Sequence, residues 1–486
     1  MISKSFLKSS IVFTLGGALP MVASIILLPF YTNYLSDLNY TQVAFYISVS
    51  LLLQIFFSFS TESYFGVKFT QLHEDAEKQK KFIGTISILL LLIGAVVLII
   101  TALFGNFLFS KIYRSNLLME FWPYGFYSVL TAFFNSYFKL ATVSLIYLKK
   151  AKLFLGLNFI NFIATITISI AGLYLYPNTI IGPIYGRLLS GVIIFILAQA
   201  VYFKEGILVI EKSFIKELVE FCLPYLFYVI CVWMLGFVDR YILQVYITNE
   251  DLNAYDLVLK CFFGIDFLQN SLSAAFFPKL YEIWSKQKTN TTTKESNRYF
   301  NVFTAINILQ LILFCVFIPI IYKLIINNQN FYRSEVYIGI LAAGYALRSI
   351  FNFYLSTILF TKKIGILFKV FGTSALFQLI LMFAVAKQFG LMGVIYIGIA
   401  TKLLQVILFM QFTKKIFTYN FNYFKIVVLP LGYVVINLVQ FFLFKNYNII
   451  HYLAQLLLFG IIIVMVFKNE IMQTLASFGI IKKKTI

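Results

Sequence analysis

An all-α integral membrane protein of about fourteen transmembrane helices is the fold class this sequence predicts. Three observations lead there. Apolar runs of about 18 residues or more recur from one end of the chain to the other. The 486 residues are 61% hydrophobic and only 12% charged, with mean hydropathy +0.88, which no soluble globular chain of this length shows. The segments between the runs alternate between basic and base-poor.

The runs lie near 11–35, 41–66, 82–105, 118–148, 153–176, 179–203, 218–246, 254–282, 299–326, 334–360, 365–386, 389–412, 423–444 and 449–467. The first follows Lys4 and Lys8 and is too long for a cleaved signal peptide, so it reads as a retained helix. The second carries Ser50, Gln54, Ser58 and Glu62 four apart. The fourth carries Ser128, Thr131, Asn135, Lys139 and Thr142, and the fifth Asn158, Asn161, Thr165 and Ser169. The eighth has Asp266, Gln269, Asn270 and Ser273, and the tenth Gly344, Arg348, Asn352 and Ser356. Spacings of three and four put these polar groups on one face of a helix. In lipid that face must meet other helices or water. One such stripe is ordinary glue between helices. Five stripes, together with buried charge, favour a shared hydrated lumen, lined by Gln54, Asn135, Asn158, Asn161, Asn270 and Asn352 among others.

Basic connections are Lys68 to Lys81, Lys149 to Lys152, Lys204 to Lys216, Lys279 to Arg298, Lys362-Lys363, Lys414-Lys415 and the tail ending Lys482-Lys483-Lys484. Base-poor ones are Ser36 to Tyr40, Pro177-Asn178, Thr248 to Asn253 and Asn327 to Tyr332. Sorted by this topology, with run ends counted with the side they border, 27 of the 39 Lys and Arg fall on the side of the first set and the amino terminus, 6 on the side of the second, and 6 remain within the membrane. The positive-inside rule then predicts an even number of spans with both termini cytoplasmic. The same rule accounts for the net charge of +20, which in a soluble chain would suggest nucleic acid; no nucleic-acid partner is expected. Helix count predicts a six-helix lobe over 1–203, a cytoplasmic linker over 204–217, a second six-helix lobe over 218–415, and two extra helices with a basic tail over 416–486.

The six cations within the runs are Lys139, Arg187, Arg240, Lys260, Arg348 and Lys402, against two acids away from the run ends, Asp239 and Asp266. A charge at the bilayer centre costs roughly 3 kcal/mol on insertion scales, so it faces protein or a watery cavity. A net positive set of this kind predicts a cationic lumen for an anionic cargo. Lys139, Arg348 and Lys402 lie near mid-span; Arg187, Arg240 and Lys260 lie nearer the outer end, where snorkelling is the alternative. Asp239 and Arg240 are adjacent and point about 100° apart on a helix, whereas Asp256 and Lys260 are four apart and suit a local ion pair. Neither Lys139 nor Arg348 has an acid four residues away, which makes cargo contact plausible for both. Asp239 and Asp266 are the candidates for proton or sodium coupling, the alternative being simple pairing with a neighbouring base.

Enzyme chemistry is not expected. His73 and His451 lie at loop edges, and Cys222, Cys231, Cys261 and Cys315 fit neither a metal site nor a disulfide framework. There is no Gly-rich phosphate loop, zinc spacing or nucleophile elbow. No cofactor or metal is implied.

Leu27-Leu28-Pro29-Phe30-Tyr31-Thr32-Asn33-Tyr34-Leu35-Ser36 resembles the first helix of the Wzx-type polysaccharide (O-antigen) flippases of the multidrug/oligosaccharidyl-lipid/polysaccharide exporter superfamily. Gly236-Phe237-Val238-Asp239-Arg240-Tyr241-Ile242-Leu243, with Tyr255 downstream, resembles that family's seventh helix, and Pro278 the proline ending the eighth. Tyr40-Thr41 stands where the family often has Tyr-Gly. The resemblance implies two lobes in a V around a central cavity. It implies transport of a polyprenyl-diphosphate-linked oligosaccharide, such as an O-antigen unit for lipopolysaccharide, from the inner to the outer leaflet of the bacterial cytoplasmic (inner) membrane. Membrane lipids, and polymerase and chain-length machinery, are the partners it implies. A peptidoglycan lipid II flippase and a multidrug exporter of the same superfamily are the alternatives, the latter disfavoured because a cationic lumen repels cationic drugs.

Overall fold

The computed structural model describes residues 4–72, 75–287, 290–443, 449–470 and 472. His73 and the Lys482-Lys483-Lys484 tail lie outside these residues. The helices are α1 (Lys4–Tyr34), α2 (Asp37–Ser58), α3 (Thr61–Gln71), α4 (Ala76–Ile112), α5 (Phe126–Tyr147), α6 (Ala151–Leu175), α7 (Ile181–Glu205) and α8 (Lys212–Leu243). They continue with α9 (Asn249–Gln287), α10 (Lys294–Ile325), α11 (Glu335–Ala346), α12 (Arg348–Phe360), α13 (Gly365–Thr413), α14 (Leu429–Leu443) and α15 (Ile449–Val466). Among the described residues the only β pairing is an isolated bridge between Thr291 and Thr418.

Twelve helical segments among the described residues are long and apolar enough to cross a membrane. One of them, α13, runs for 49 residues, about 74 Å at 1.5 Å per residue and far more than a bilayer. Gly390 breaks it, with φ 53° and ψ −137°, a backbone that only glycine adopts without strain. A Cβ on Gly393 would run into Val385 and Phe389, so the chain doubles back there. Residues eight apart in a continuous helix would be about 12 Å distant. The α13 segment is therefore two spans, as the sequence suggests for 365–386 and 389–412. The 39-residue α9 is long enough to form a further span and carries Asp256, Lys260 and Asp266 along its length. The architecture is all-helical and consistent with fourteen spans.

One expected span is broken inside. The second breaks at Phe59 and Ser60, both at positive φ (46° and 56°), so Glu62 falls in the first turn of α3 instead of continuing the α2 stripe. Between α11 and α12 the backbone at Leu347 stays in the right-handed helical region (φ −64°, ψ −17°). At the Phe59–Ser60 break a side chain leaves the regular helical stripe, which matters for Glu62 below.

Contacts group Met1–Asn253 and Ala254–Ile486 as separate compact units. Helix count assigns α8 to the second lobe; contacts group it with unit 1. Its near end is tied there by Glu217, which pairs with Lys68 at 2.5 Å and accepts from the Tyr64 hydroxyl at 3.2 Å. Its far end is tied by Tyr241, which donates to Ser48 at 3.1 Å, and by Gln244, which donates to the Ile112 carbonyl at 2.9 Å. Residues 206–211, inside the expected linker, lie against α4: the Ile207 amide donates to the Lys80 carbonyl and Thr85 donates to Val209. In unit 2, Thr292 donates to Thr418 and Thr357 bonds to Tyr419, fastening the connections around Trp284, Phe353 and Phe417.

Within unit 1, α6 and α7 meet through glycines. Gly182 and Gly186 stand four apart on α7, the small-xxx-small spacing that lets membrane helices approach closely. A Cβ on Gly182 would lie 2.6 Å from the Leu173 amide nitrogen, and one on Gly186 would strike Ser169. We predict that Gly182→Leu lowers the melting temperature of the purified protein, since overpacking of this kind costs about 1–3 kcal/mol. An unchanged melting curve would show that the helices can part there without cost.

Candidate functional site

In unit 2 the polar stripe of α9 meets that of α12. Arg348 donates to Asp266 and, at 2.7 Å, to the Asn270 side-chain oxygen. One helical turn on, Asn352 donates to Ser273 at 3.1 Å. Gln269, on the same helix, donates to Asn307 of α10 at 2.6 Å. Tyr345, three residues before Arg348, reaches Asp266 at 3.5 Å and stacks on Phe262. Lys402, from the second half of α13, places its ammonium over the Tyr345 ring, 4.3 Å from its centre. Gly344 makes room for it: a Cβ there would lie 2.9 Å from the Lys402 Nζ. Arg348 thus faces the carboxylate, and Lys402 faces the ring whose hydroxyl reaches it. The pair stays partly open, with side-chain exposures of 25% for Arg348 and 31% for Asp266, and Asn270 is exposed.

Unit 1 answers most of its charge internally. Lys139 donates to Glu62 at 2.5 Å, across 77 residues of sequence, and half of its side chain remains open. Arg240 does not snorkel to the outer surface: it is 5% exposed, bonds to the Gly236 carbonyl at 2.8 Å and lies over the Phe237 ring. Adjacency to Asp239 does not keep the two apart either. The Arg240 amide donates to Asp239 Oδ1 at 2.8 Å, and the guanidinium comes within 3.4 Å of the same oxygen. Arg187, on α7, is half-buried beside Tyr31 and Ser169. Lys260, on α9 of unit 2, pairs with Asp256 at 2.6 Å, as their spacing suggests.

The expected polar lining divides. Asn270 and Asn352 join the unit 2 site. Asn158 is buried and donates to the Phe154 carbonyl of its own helix, and the Ser128, Thr131 and Thr142 hydroxyls likewise bond to carbonyls one turn back along their own stretch of chain. Asn161 contacts Thr165, which donates to Ser190 of α7, so these act between helices. Gln54 and Asn135 are half-buried; the Gln54 carbonyl accepts from Ser136. Sequence reasoning missed Tyr345 and the pairing role of Glu62. Tyr345 lies three residues from Arg348, which was a positional signal; the break before Glu62 takes it off the second stripe and left its pairing without one. Among the described residues no group of three or more His, Cys, Asp or Glu could hold a metal.

Residues 6–284 match the model of a family described as polysaccharide biosynthesis protein. The chain belongs to that family. The fold of this family member is similar to the lipid II flippase MurJ in an inward closed conformation, with TM-score 0.71 and 15% identity, over 96% of this chain and 99% of that one. It is also similar to the MATE multidrug transporter DinF-BH (TM-score 0.63, 14% identity, 85% and 96% covered). A third similar structure is a MOP superfamily transporter from Pyrococcus furiosus (TM-score 0.62, 13% identity, 85% and 95% covered). No curated protein matches the sequence. The protein is a multi-pass membrane protein with a MurJ- and MATE-like fold.

The two partners of the unit 2 pair should be energetically coupled. A double-mutant cycle with Asp266→Ala and Arg348→Ala is expected to show the double variant more stable than the sum of the singles, by about 1–2 kcal/mol after allowing for partial solvent screening. Strict additivity in the melting data would show that the contact contributes nothing.

Proposed function

We propose that the protein is a flippase for a polyprenyl-diphosphate-linked oligosaccharide, an O-antigen or other surface polysaccharide repeat unit. It moves this cargo across the bacterial cytoplasmic membrane by alternating access, with both termini in the cytoplasm. The observation that carries the reading is the partly open Arg348–Asp266 pair beside the exposed amide of Asn270, with Lys402 over the ring of Tyr345, whose hydroxyl reaches the same carboxylate. A diphosphate is a compact dianion. A guanidinium binds phosphate oxygens in pairs and an ammonium adds a point charge, so the two cations suit its headgroup. Lys139 supplies a second open cation in unit 1. Polar side chains and aromatic rings receive the sugars while the polyprenyl chain stays in lipid. Membership of a polysaccharide biosynthesis family supports the cargo class. Polymerase and chain-length proteins would then act on the delivered units.

A second cargo, peptidoglycan lipid II, is favoured by one observation: the MurJ likeness covers 96% of this chain, against 85% for the multidrug transporter DinF-BH. Depletion separates the two cargoes. Loss of lipid II transport causes lysis, whereas loss of a surface glycan leaves cells intact.

Arg348→Ala and Lys139→Ala are each expected to abolish surface glycan export, and flipping of labelled lipid-linked sugar in proteoliposomes, while protein in the membrane stays at parental levels. Normal flipping by both would sink the charge-based mechanism. Asp266 and Asp239 are the proposed coupling acids. Asp266→Asn or Asp239→Asn should alter the pH or sodium dependence of flipping in the same vesicles. If both keep the parental dependence and rate, neither acid couples an ion.

A further inference from the structure

Arg187 differs from the other cations of the spans. Lys139, Arg240, Lys260 and Arg348 each face a carboxylate, and Lys402 lies over an aromatic ring. No carboxylate among the described residues stands within 4.0 Å of the Arg187 guanidinium. Its Nε is buried and makes no hydrogen bond. Beside it on neighbouring helices stand the Tyr31 hydroxyl of α1 and the Ser169 hydroxyl of α6, both buried; Tyr31 lies within reach of Ser169 and of Arg187, but none of these approaches has the geometry of an ordinary hydrogen bond. Tyr31 is 4% exposed and Ser169 0%.

These three groups are held together by the packing of their helices. Gly186 has no Cβ, so α7 closes on α6 at the height of Ser169, directly before Arg187. Tyr31 stands one turn from the end of α1, and α1 packs along α6. Each buried donor left unpaired costs about 1–3 kcal/mol. Three poorly satisfied donors therefore converge beside a half-buried cation that faces no carboxylate among the described residues.

We infer that Tyr31, Ser169 and Arg187 form a binding site for a small inorganic anion of the halide class, resident inside unit 1. A phenol, an alcohol and a guanidinium N–H can all donate to one point. A water molecule has two lone pairs, so it accepts from two of them and cancels no charge. A monatomic anion accepts from all three and neutralises the guanidinium in a setting where an isolated charge is costly. Two of the three residues are almost fully buried, which favours a single atom over a branched phosphate. On this assignment Arg187 carries a structural counter-ion, apart from the cargo-facing cations Arg348 and Lys139. The inference stands without the cargo reading, and its test needs no transport.

The test is a melting series on the purified full-length protein at constant ionic strength in sodium chloride, bromide or gluconate. The parent should show a saturable rise of about 2 °C in chloride and bromide over gluconate. Arg187→Gln should lose the rise. Tyr31→Phe, which keeps the charge and removes one donor, should need a several-fold higher halide concentration. It carries the test if Arg187→Gln fails to fold. General salt effects act on parent and variants alike and are removed by this comparison. Equal melting in chloride and gluconate, or a rise that survives both substitutions, overturns the proposal. So does an Arg187-dependent rise with detergent-solubilised polyprenyl diphosphate in gluconate that chloride does not reproduce, because the site would then belong to the cargo.

Discussion

A charge inside a bilayer must be answered by the protein around it, and much of this structure follows from that demand. The hydrocarbon core offers no water, so each cation in a span needs a carboxylate, an aromatic face, a backbone carbonyl or a bound anion. Lys139 finds Glu62, Arg348 finds Asp266, and Arg240 finds Asp239 and the Gly236 carbonyl. One of these pairs stands at a helix break. Glu62 follows the left-handed pair Phe59 and Ser60. The break releases its side chain from the strict helical stripe and lets it reach a neighbour. The first turn of α3 also sets Glu62 at a helix amino terminus, where a carboxylate is favoured.

Much of the unit 2 site was legible in the sequence, because its geometry is periodic. Asp266, Gln269, Asn270 and Ser273 share one face of α9, and Arg348, Asn352 and Ser356 share one face of α12. Faces made polar by spacing three and four must be covered in lipid, and two such faces on nearby helices cover each other. The bonds Arg348 to Asn270 and Asn352 to Ser273 have this origin. The pairing of Lys139 with Glu62 was not legible, because it spans 77 residues and depends on a break set by the αL turn at Phe59 and Ser60. Adjacency misled at Asp239 and Arg240: helical projection sends the side chains apart, yet a flexible guanidinium can fold back over its own turn. The helix count was legible because span length is fixed by the bilayer. That constraint makes Gly390 a reversal point within an otherwise unbroken 49-residue assignment.

The two units use their charges differently. In unit 1, Lys139 and Arg240 are balanced one to one by Glu62 and Asp239, and Arg187 is the residue proposed to hold a small anion. In unit 2, Arg348 pairs with Asp266, and Lys402 lies over the ring of Tyr345, whose hydroxyl reaches the same carboxylate. On the proposed function Asp266 would have two effects. It would keep Arg348 ordered in the empty carrier, and it would compete with the cargo for the same guanidinium.

On the proposed function, that competition bears on how transport is driven. If Asp266 held Arg348 too strongly, cargo would not bind; if too weakly, the empty site would collapse or flood. Partial opening of the pair reduces its strength through solvent screening, which brings exchange with a dianion closer to balance. The cargo carries its charge with it across the membrane. Moving one charge through 100 mV is worth about 2.3 kcal/mol, so a diphosphate of about two charges gains roughly 4–5 kcal/mol on moving outward against an inside-negative potential of that size. On that proposal the potential favours the outward, loaded step, and the strength of the partly open Arg348–Asp266 pair decides how readily the dianion is taken up and released.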